Sequence, residues 1–245
     1  TGTNNVAIGY LALSTEDAHG SNVAIGGQAL ENQNAGAEGY NVAIGSLAGN
    51  DITTGVANIL IGAFAGDALT DADENTALGY QALSADTLGS KSVAIGRAAL
   101  NAQNFTTATS TYNTAVGYYA GLAVTTGVQN TLIGASAGDA LTDADYNVAL
   151  GYFALGADTL GSRSTALGYA ALNAQNFTTA ANSYNTAVGS HAGVAVTTGV
   201  QNTLIGASAG DALTDADYNV ALGYFALGGD TLGSASTAIG RGALG

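Results

Sequence analysis

Three aspartates recur as a group along this chain. Asp67, Asp71 and Asp73 return as Asp139, Asp143 and Asp145, and again as Asp211, Asp215 and Asp217. Carboxylates this close in sequence offer the hard oxygen ligands that Ca²⁺ takes, with Asp86 or Asp158 one repeat away as a further ligand. Their spacing is neither that of an EF-hand loop nor the nonapeptide of calcium-binding β-rolls. A solvated acidic face that keeps chains from associating sideways accounts for the same residues. His19 and His191 are the only histidines, and they lie far apart in sequence. A Ser–His–Asp triad needs three groups meeting in one pocket, so both histidines read as surface residues. Tyrosine occurs at a fixed place in the repeat described below, at Tyr10, Tyr80, Tyr118, Tyr152, Tyr169 and Tyr224, where it alternates with Arg97, Arg241, Ser and Ala. Such variety points to an outward face. Rings with a polar tip suit recognition surfaces, sugar faces included, although Tyr152-Phe153 and Tyr224-Phe225 also read as simple covers for coil edges. The many glycines form no GxxxxGK[ST] phosphate loop. No catalytic, cofactor-binding or metal-ligating residue is assigned, and the expectation is a protein that is not an enzyme and has no cofactor.

The elements that place these residues follow from one repeat. A glycine recurs at 9, 26, 45, 62, 79, 96, 117, 134, 151, 168, 189, 206, 223 and 240, and the step from Gly62 to Gly79 is the one most often taken. A longer period lies on top, made of four such steps, so that Asn130 to Asp145 returns unchanged as Asn202 to Asp217. Counting from that glycine, position −1 is Ile, Leu or Val, and −3 is always β-branched. Position −2 is Ala except at Leu60, Leu132 and Leu204; −4 is Asn except at Ser92, Ser164 and Ser236; +3 is always Ala. Alternation with period 2, β-branched residues and a closing glycine describe a short strand and a turn.

A unit this short cannot bury its own faces, whereas stacked copies can. The expected fold is all-β: a parallel β-solenoid of fourteen coils, a single array over 1–245 with coil groups at 1–40, 41–112, 113–184 and 185–245. At about 4.8 Å per coil it would be a rod roughly 60–65 Å long. Positions −1 and −3 share one face of the strand, and −2 and −4 share the other. The bulkier pair is expected to fill the interior, the Thr residues at −3 included. That leaves a column of Ala, Ala149 and Ala166 among them, beside a ladder of Asn on the outside. A narrow apolar stripe in water marks an interface, so lysine at Ala149 and Ala166 should separate associated chains. Position +4 alternates in pairs of Leu and Gly. Wherever Leu is lost, an aliphatic residue stands three positions later, at Ile52, Leu69, Val124, Leu141, Val196 or Leu213, as a close-packed core requires.

Composition sets further bounds. Charged residues make up 9% of the chain, against about 25% in ordinary soluble domains. With 4 basic and 18 acidic residues the net charge is −14, too negative for nucleic acid as a partner. Cysteine is absent, which removes disulfides, thiolate chemistry and zinc fingers. No apolar run approaches the length of a membrane span, so this segment is not expected to insert into a membrane. The N-terminus lacks a signal-peptide pattern and already lies inside the repeat, as in a piece of a longer protein.

Asn22-Val23-Ala24-Ile25-Gly26, Asn41-Val42-Ala43-Ile44-Gly45 and Ser92-Val93-Ala94-Ile95-Gly96 resemble the head repeats of trimeric autotransporter adhesins of the YadA type. The longer unit Asn113-Thr114-Ala115-Val116-Gly117-Tyr118-Tyr119-Ala120-Gly121, followed by Thr125-Thr126-Gly127, looks like arrays in bacteriophage tail fibres and related surface fibres. The resemblance implies a left-handed β-roll and three chains side by side. It also implies an extracellular role as a structural, adhesive fibre segment, on a virion tail or a cell-surface appendage, that attaches to a host-cell surface or glycan receptor. The coils of those heads are usually shorter than the coils here. The alternative is a monomeric or polymerising solenoid that binds ice, a glycan or, through calcium, a surface. An ice-binding face would need threonine on every coil, whereas Thr-Thr occurs once per long period, at Thr53-Thr54, Thr125-Thr126 and Thr197-Thr198.

Overall fold

A computed structural model describes residues 2–16 and 20–245. The chain forms two compact units, residues 1–126 and 127–245. Each is a parallel β-solenoid, and among the described residues there is no helix. The first unit carries strands Val6–Ile8, Val23–Ile25, Val42–Ile44, Ile59–Ile61, Thr76–Leu78, Val93–Ile95 and Thr114–Val116. The second carries Thr131–Ile133, Val148–Leu150, Thr165–Leu167, Thr186–Val188, Thr203–Ile205, Val220–Leu222 and Thr237–Ile239. Neighbouring strands within a unit pair in parallel and in register, as in Ala149 with Ala166 and Ala166 with Ala187. These are the fourteen coils expected from the repeat. The two longest coils add a second short pairing, Gly89–Ser90 with Thr109–Ser110 and Gly161–Ser162 with Ala181–Asn182.

The strand faces are the reverse of the expectation. From the second to the thirteenth coil, the Ala or Leu at −2 and the Asn or Ser at −4 are buried. The β-branched −3 and aliphatic −1 side chains face outward, with Leu150 47% and Leu222 44% exposed. Ala149 and Ala166 therefore line the interior, and lysine at either would disrupt the fold rather than separate chains. The Thr column at −3 faces outward too.

Two physical reasons set this orientation. So short a coil encloses a thin space that is already filled from the far wall by Ala at +3, Leu at +4 and the aliphatic residues at +7, all buried between the second and thirteenth coils. The asparagine is needed inside, where it satisfies backbone groups of the next coil. Asn41 Oδ1 accepts from Asn58 N (2.8 Å) and Asn58 Oδ1 from Asn75 N (3.0 Å), while Asn58 Nδ2 donates to Ala72 O (2.8 Å). The expected ladder thus exists, but it runs mainly from amide to backbone and lies in the core. Volume is shared as the sequence indicated: a Cβ on Gly66 would meet methyl carbons of Leu60 and Leu69 at 2.8 Å.

At Ser92 and Ser164 a buried polar network takes over from the ladder. Asp158 Oδ1 accepts from Gly161 N (3.0 Å) and Phe177 N (3.1 Å), and Oδ2 accepts from Gln175 Nε2 (2.5 Å). Gln175 Nε2 also donates to Ser164 Oγ (2.8 Å), and its Oε1 accepts from Asn185 Nδ2 (2.9 Å). Asp86, Gln103, Ser92 and Asn113 repeat the pattern in the first unit.

Three turn positions hold their side chains against steric preference. Residues at −5, +2 and +4 take left-handed backbone angles, including Tyr146 (φ 59°), Leu155 (φ 52°) and Leu172 (φ 50°). Each such non-glycine residue costs about 1 kcal/mol. Backbone hydrogen bonds between coils offset this, as in Phe153 N to Ala135 O (3.2 Å) and Leu155 N to Ala171 O (3.0 Å). The result is a leucine turned inward at +4 and a side chain carried toward the surface at +2.

Candidate functional surface

The outward stripe at −3 and −1 is flanked by two columns of tyrosine. The column at +1, expected from the sequence, is exposed throughout. The second stands at −5, immediately before the asparagine, and holds Tyr40, Tyr112, Tyr146, Tyr184 and Tyr218, all exposed. Sequence reasoning missed it because Ala, Glu, Gln, Lys and Arg fill the same position in other coils. The signal was the five-fold recurrence of tyrosine one residue before the repeat asparagine.

All four basic residues lie against these rings. Arg97 sits over Tyr80, Tyr118 and Tyr119, 5.5–5.8 Å from the ring centres, and Nη1 donates to the Tyr118 hydroxyl at 3.0 Å. Arg163 lies 4.6 Å from Tyr146 and 5.9 Å from Tyr184. Lys91 lies 5.5 Å from Tyr112, and Arg241 lies 5.8 Å from Tyr224. Guanidinium and ammonium groups are drawn to the negative ring face, by about 0.5–1 kcal/mol at exposed sites.

The acidic groups divide by role. Asp73, Asp145 and Asp217 accept from the backbone N–H of Val56, Val128 and Val200 at 2.8 Å. Asp71 and Asp215 accept from the Thr54 and Thr198 hydroxyls at 2.5 and 2.6 Å. Asp86 and Asp158 are buried in the networks described above and face inward. They are therefore not placed to join the acidic turns as ligands. Among the described residues, no three carboxylates or imidazoles gather into a metal-binding group. A shallow depression of about 310 Å³ is lined by Asp143, Asp145, Ser162, Ala180, Ala181 and Asn182. Arg163 Nε donates to Asn182 Oδ1 at its edge (3.0 Å).

Asp67, Asp139 and Asp211 each bury one carboxylate oxygen, Oδ1, without a hydrogen-bond partner. Burial pushes the Asp67 carboxyl up to about 6, against a lowering by its backbone hydrogen bond and with a further rise from the nearby Asp51 charge. Asp139 is raised by the same desolvation, with the Ser136 hydroxyl pulling the other way. The folded chain thus binds this proton more tightly than the unfolded chain, so stability falls as pH rises from about 4 through 6. Replacing Asp67 with Asn should raise the melting temperature at pH 7. The gain should be about 2–4 °C, or about 1 kcal/mol after allowing for solvent screening of a half-exposed group, and it should vanish below about pH 4. Thermal melts across that range measure it; an unchanged melt at pH 7 would show that the buried oxygen carries no penalty.

His191 is exposed, with the Ser190 hydroxyl 3.0 Å from Nδ1 and the Tyr169 ring 4.9 Å away, edge-on. His19 lies outside the described residues. No protein-family model matches this chain, and no curated protein matches it.

Proposed function

We propose that the chain is a structural and adhesive segment of an extracellular fibre, a phage tail fibre or a bacterial surface adhesin, in which three copies lie side by side. The observation that carries this reading is the outward stripe of β-branched and aliphatic side chains, repeated on every strand. Ile, Leu and Val exposed in register over so many coils form an apolar surface far longer than the scattered hydrophobes of a monomer. In-register parallel pairing also gives two identical stripes the same step height. The number three comes from the resemblance to the trimeric adhesin heads. Stacked coils give stiffness, and surface groups repeated along a fibre give multivalent contact.

Light scattering on a sizing column tests the assembly. The expected mass is three times the 23.9 kDa of one chain. Placing lysine at both Leu150 and Leu222 should return it to a folded monomer, because six ammonium groups would then crowd the apolar seam. A wild-type monomer would sink the trimer.

The outward Thr residues at −3 favour a second reading. Thr131, Thr165, Thr186, Thr203 and Thr237 stand in one column of the second unit, interrupted by Val148 and Val220. A monomer showing thermal hysteresis in ice-growth assays would support a lattice-binding solenoid.

A further inference from the structure

Positions one long period apart carry Arg97, Tyr169 and Arg241, and the middle one breaks a pattern. In two of these places an arginine caps the tyrosines around it, over Tyr80, Tyr118 and Tyr119 in one case and over Tyr224 in the other. At the third, the arginine is replaced by a ring. Tyr152 and Tyr169 stack with centroids 5.7 Å apart and planes 16° from parallel. Phe153 packs against Tyr152 at 4.2 Å, and His191 closes the other end at 4.9 Å from Tyr169. Two of the changes between the two blocks here add a ring, Gln81 to Phe153 and Arg97 to Tyr169, the second also removing a charge, while Tyr118 becomes Ser190 and Tyr119 becomes His191. Ala135 and Ser136 lie one coil before this island and Ala207 and Ser208 one coil after, so its rings stand above low flanks.

We infer that Tyr152, Phe153, Tyr169 and His191 form a stacking platform for a neutral saccharide, the pyranose C–H face resting on the rings. The inference deepens the adhesive reading above and rests on it for its biological role. Charge selects the ligand class. An anionic glycan meets a chain of net charge −14 whose four basic groups are already held by other tyrosines. A cationic partner gains only about two- to fivefold per exposed ring contact, and the island has no carboxylate among its members to add to that. A neutral sugar ring uses the apolar ring surface that the stack leaves open, about half of Tyr152 and Tyr169, together with their hydroxyls, Ser190 Oγ and the His191 imidazole, without desolvating a charge.

Calorimetric titration of the full chain with neutral hexasaccharides of glucose, galactose, mannose and N-acetylglucosamine tests this. Polyarginine and a polysialic acid oligomer serve as charged probes. At least one neutral hexamer should bind. Tyr152→Ala and Tyr169→Ala should each weaken binding about tenfold or more. Tyr169→Arg, which reproduces the capped clusters and so is compatible with the fold, should do the same. Tyr80→Ala, in the arginine-capped cluster, should leave binding unchanged. Binding of none of the four hexamers, equal binding by Tyr169→Ala, or binding of a charged probe alone would overturn the inference. A trimer that binds no hexamer overturns the platform alone, and a monomer that binds one overturns the trimer alone.

Discussion

Gly151→Ala should lower the melting temperature by about 10 °C or more, from the addition of a single methyl group. Gly151 has φ +136°, a region that only glycine occupies readily, and strain there is of order 1–3 kcal/mol. The larger effect is steric. A Cβ at this position would sit 2.4 Å from the carbonyl oxygen of Gly168 and 2.6 Å from its carbon. Those atoms belong to the next coil and are fixed by the strand ladder, so they can yield only if the coils separate. The same contact recurs at Gly79, where Gly96 O would lie 2.4 Å from the added atom. Gly240 supplies the comparison: its φ is +119°, yet a Cβ there would meet nothing within 4 Å. Gly240→Ala should therefore lose only the conformational part, a few degrees. Equal losses at the two sites would show that backbone strain, not contact between coils, keeps this column glycine.

The register of the array was legible because it rests on that glycine and on period-2 alternation, both visible in the letters alone. Which face of the strand turned inward was not. Alternation separates −1 and −3 from −2 and −4 but carries no sign, and bulk gave the wrong one. The sign was nonetheless present in a correlation. Leu60, Leu132 and Leu204 replace Ala at −2 only in coils whose +4 residue is glycine, namely Gly66, Gly138 and Gly210. Volume traded between −2 and +4 means that both positions face one enclosed space. The asparagine at −4 shares the strand face of −2, so it had to be inside as well.

The surface was half legible for a related reason. Tyrosine at +1 stood out because it follows the glycine used to align the coils. The −5 column was hidden by its mixed composition, and its pairing with Lys91 and Arg163 becomes apparent only once successive coils are stacked. The left-handed leucines at +4 were beyond sequence reasoning altogether. Leucine has no intrinsic preference for φ near 50°, and what holds Leu155 there is the N–H it gives to Ala171 O in the next coil. Local propensity is overruled by a ladder whose partners lie in another repeat.

Dependence on the neighbouring coil also governs the buried aspartates, and Asp158→Ala should destabilise the chain by about 3–5 kcal/mol. The carboxylate has no exposed surface, and all three groups bonded to it are donors: Gly161 N, Phe177 N and Gln175 Nε2. Removing it leaves three N–H groups buried without an acceptor, each of which costs more than a typical hydrogen bond contributes. Asn at this position is nearly isosteric and tests whether the need is for volume or for acceptors. Its oxygen can still serve the two backbone groups, but its NH₂ then faces the Gln175 NH₂. Turning the Gln175 amide over relieves that clash only by setting its NH₂ against Asn185 Nδ2, which now donates to Gln175 Oε1 at 2.9 Å. The conflict therefore passes along the network instead of ending. Asp158→Asn should accordingly lose about 2 kcal/mol in denaturant unfolding, and a second change, Gln175→Glu, should recover part of it by supplying the missing acceptor. If Asp158→Asn unfolds like the wild type, shape rather than acceptor chemistry fills this place. The aliphatic residues that occupy +7 in the neighbouring coils, such as Leu141, would then be its simple equivalents.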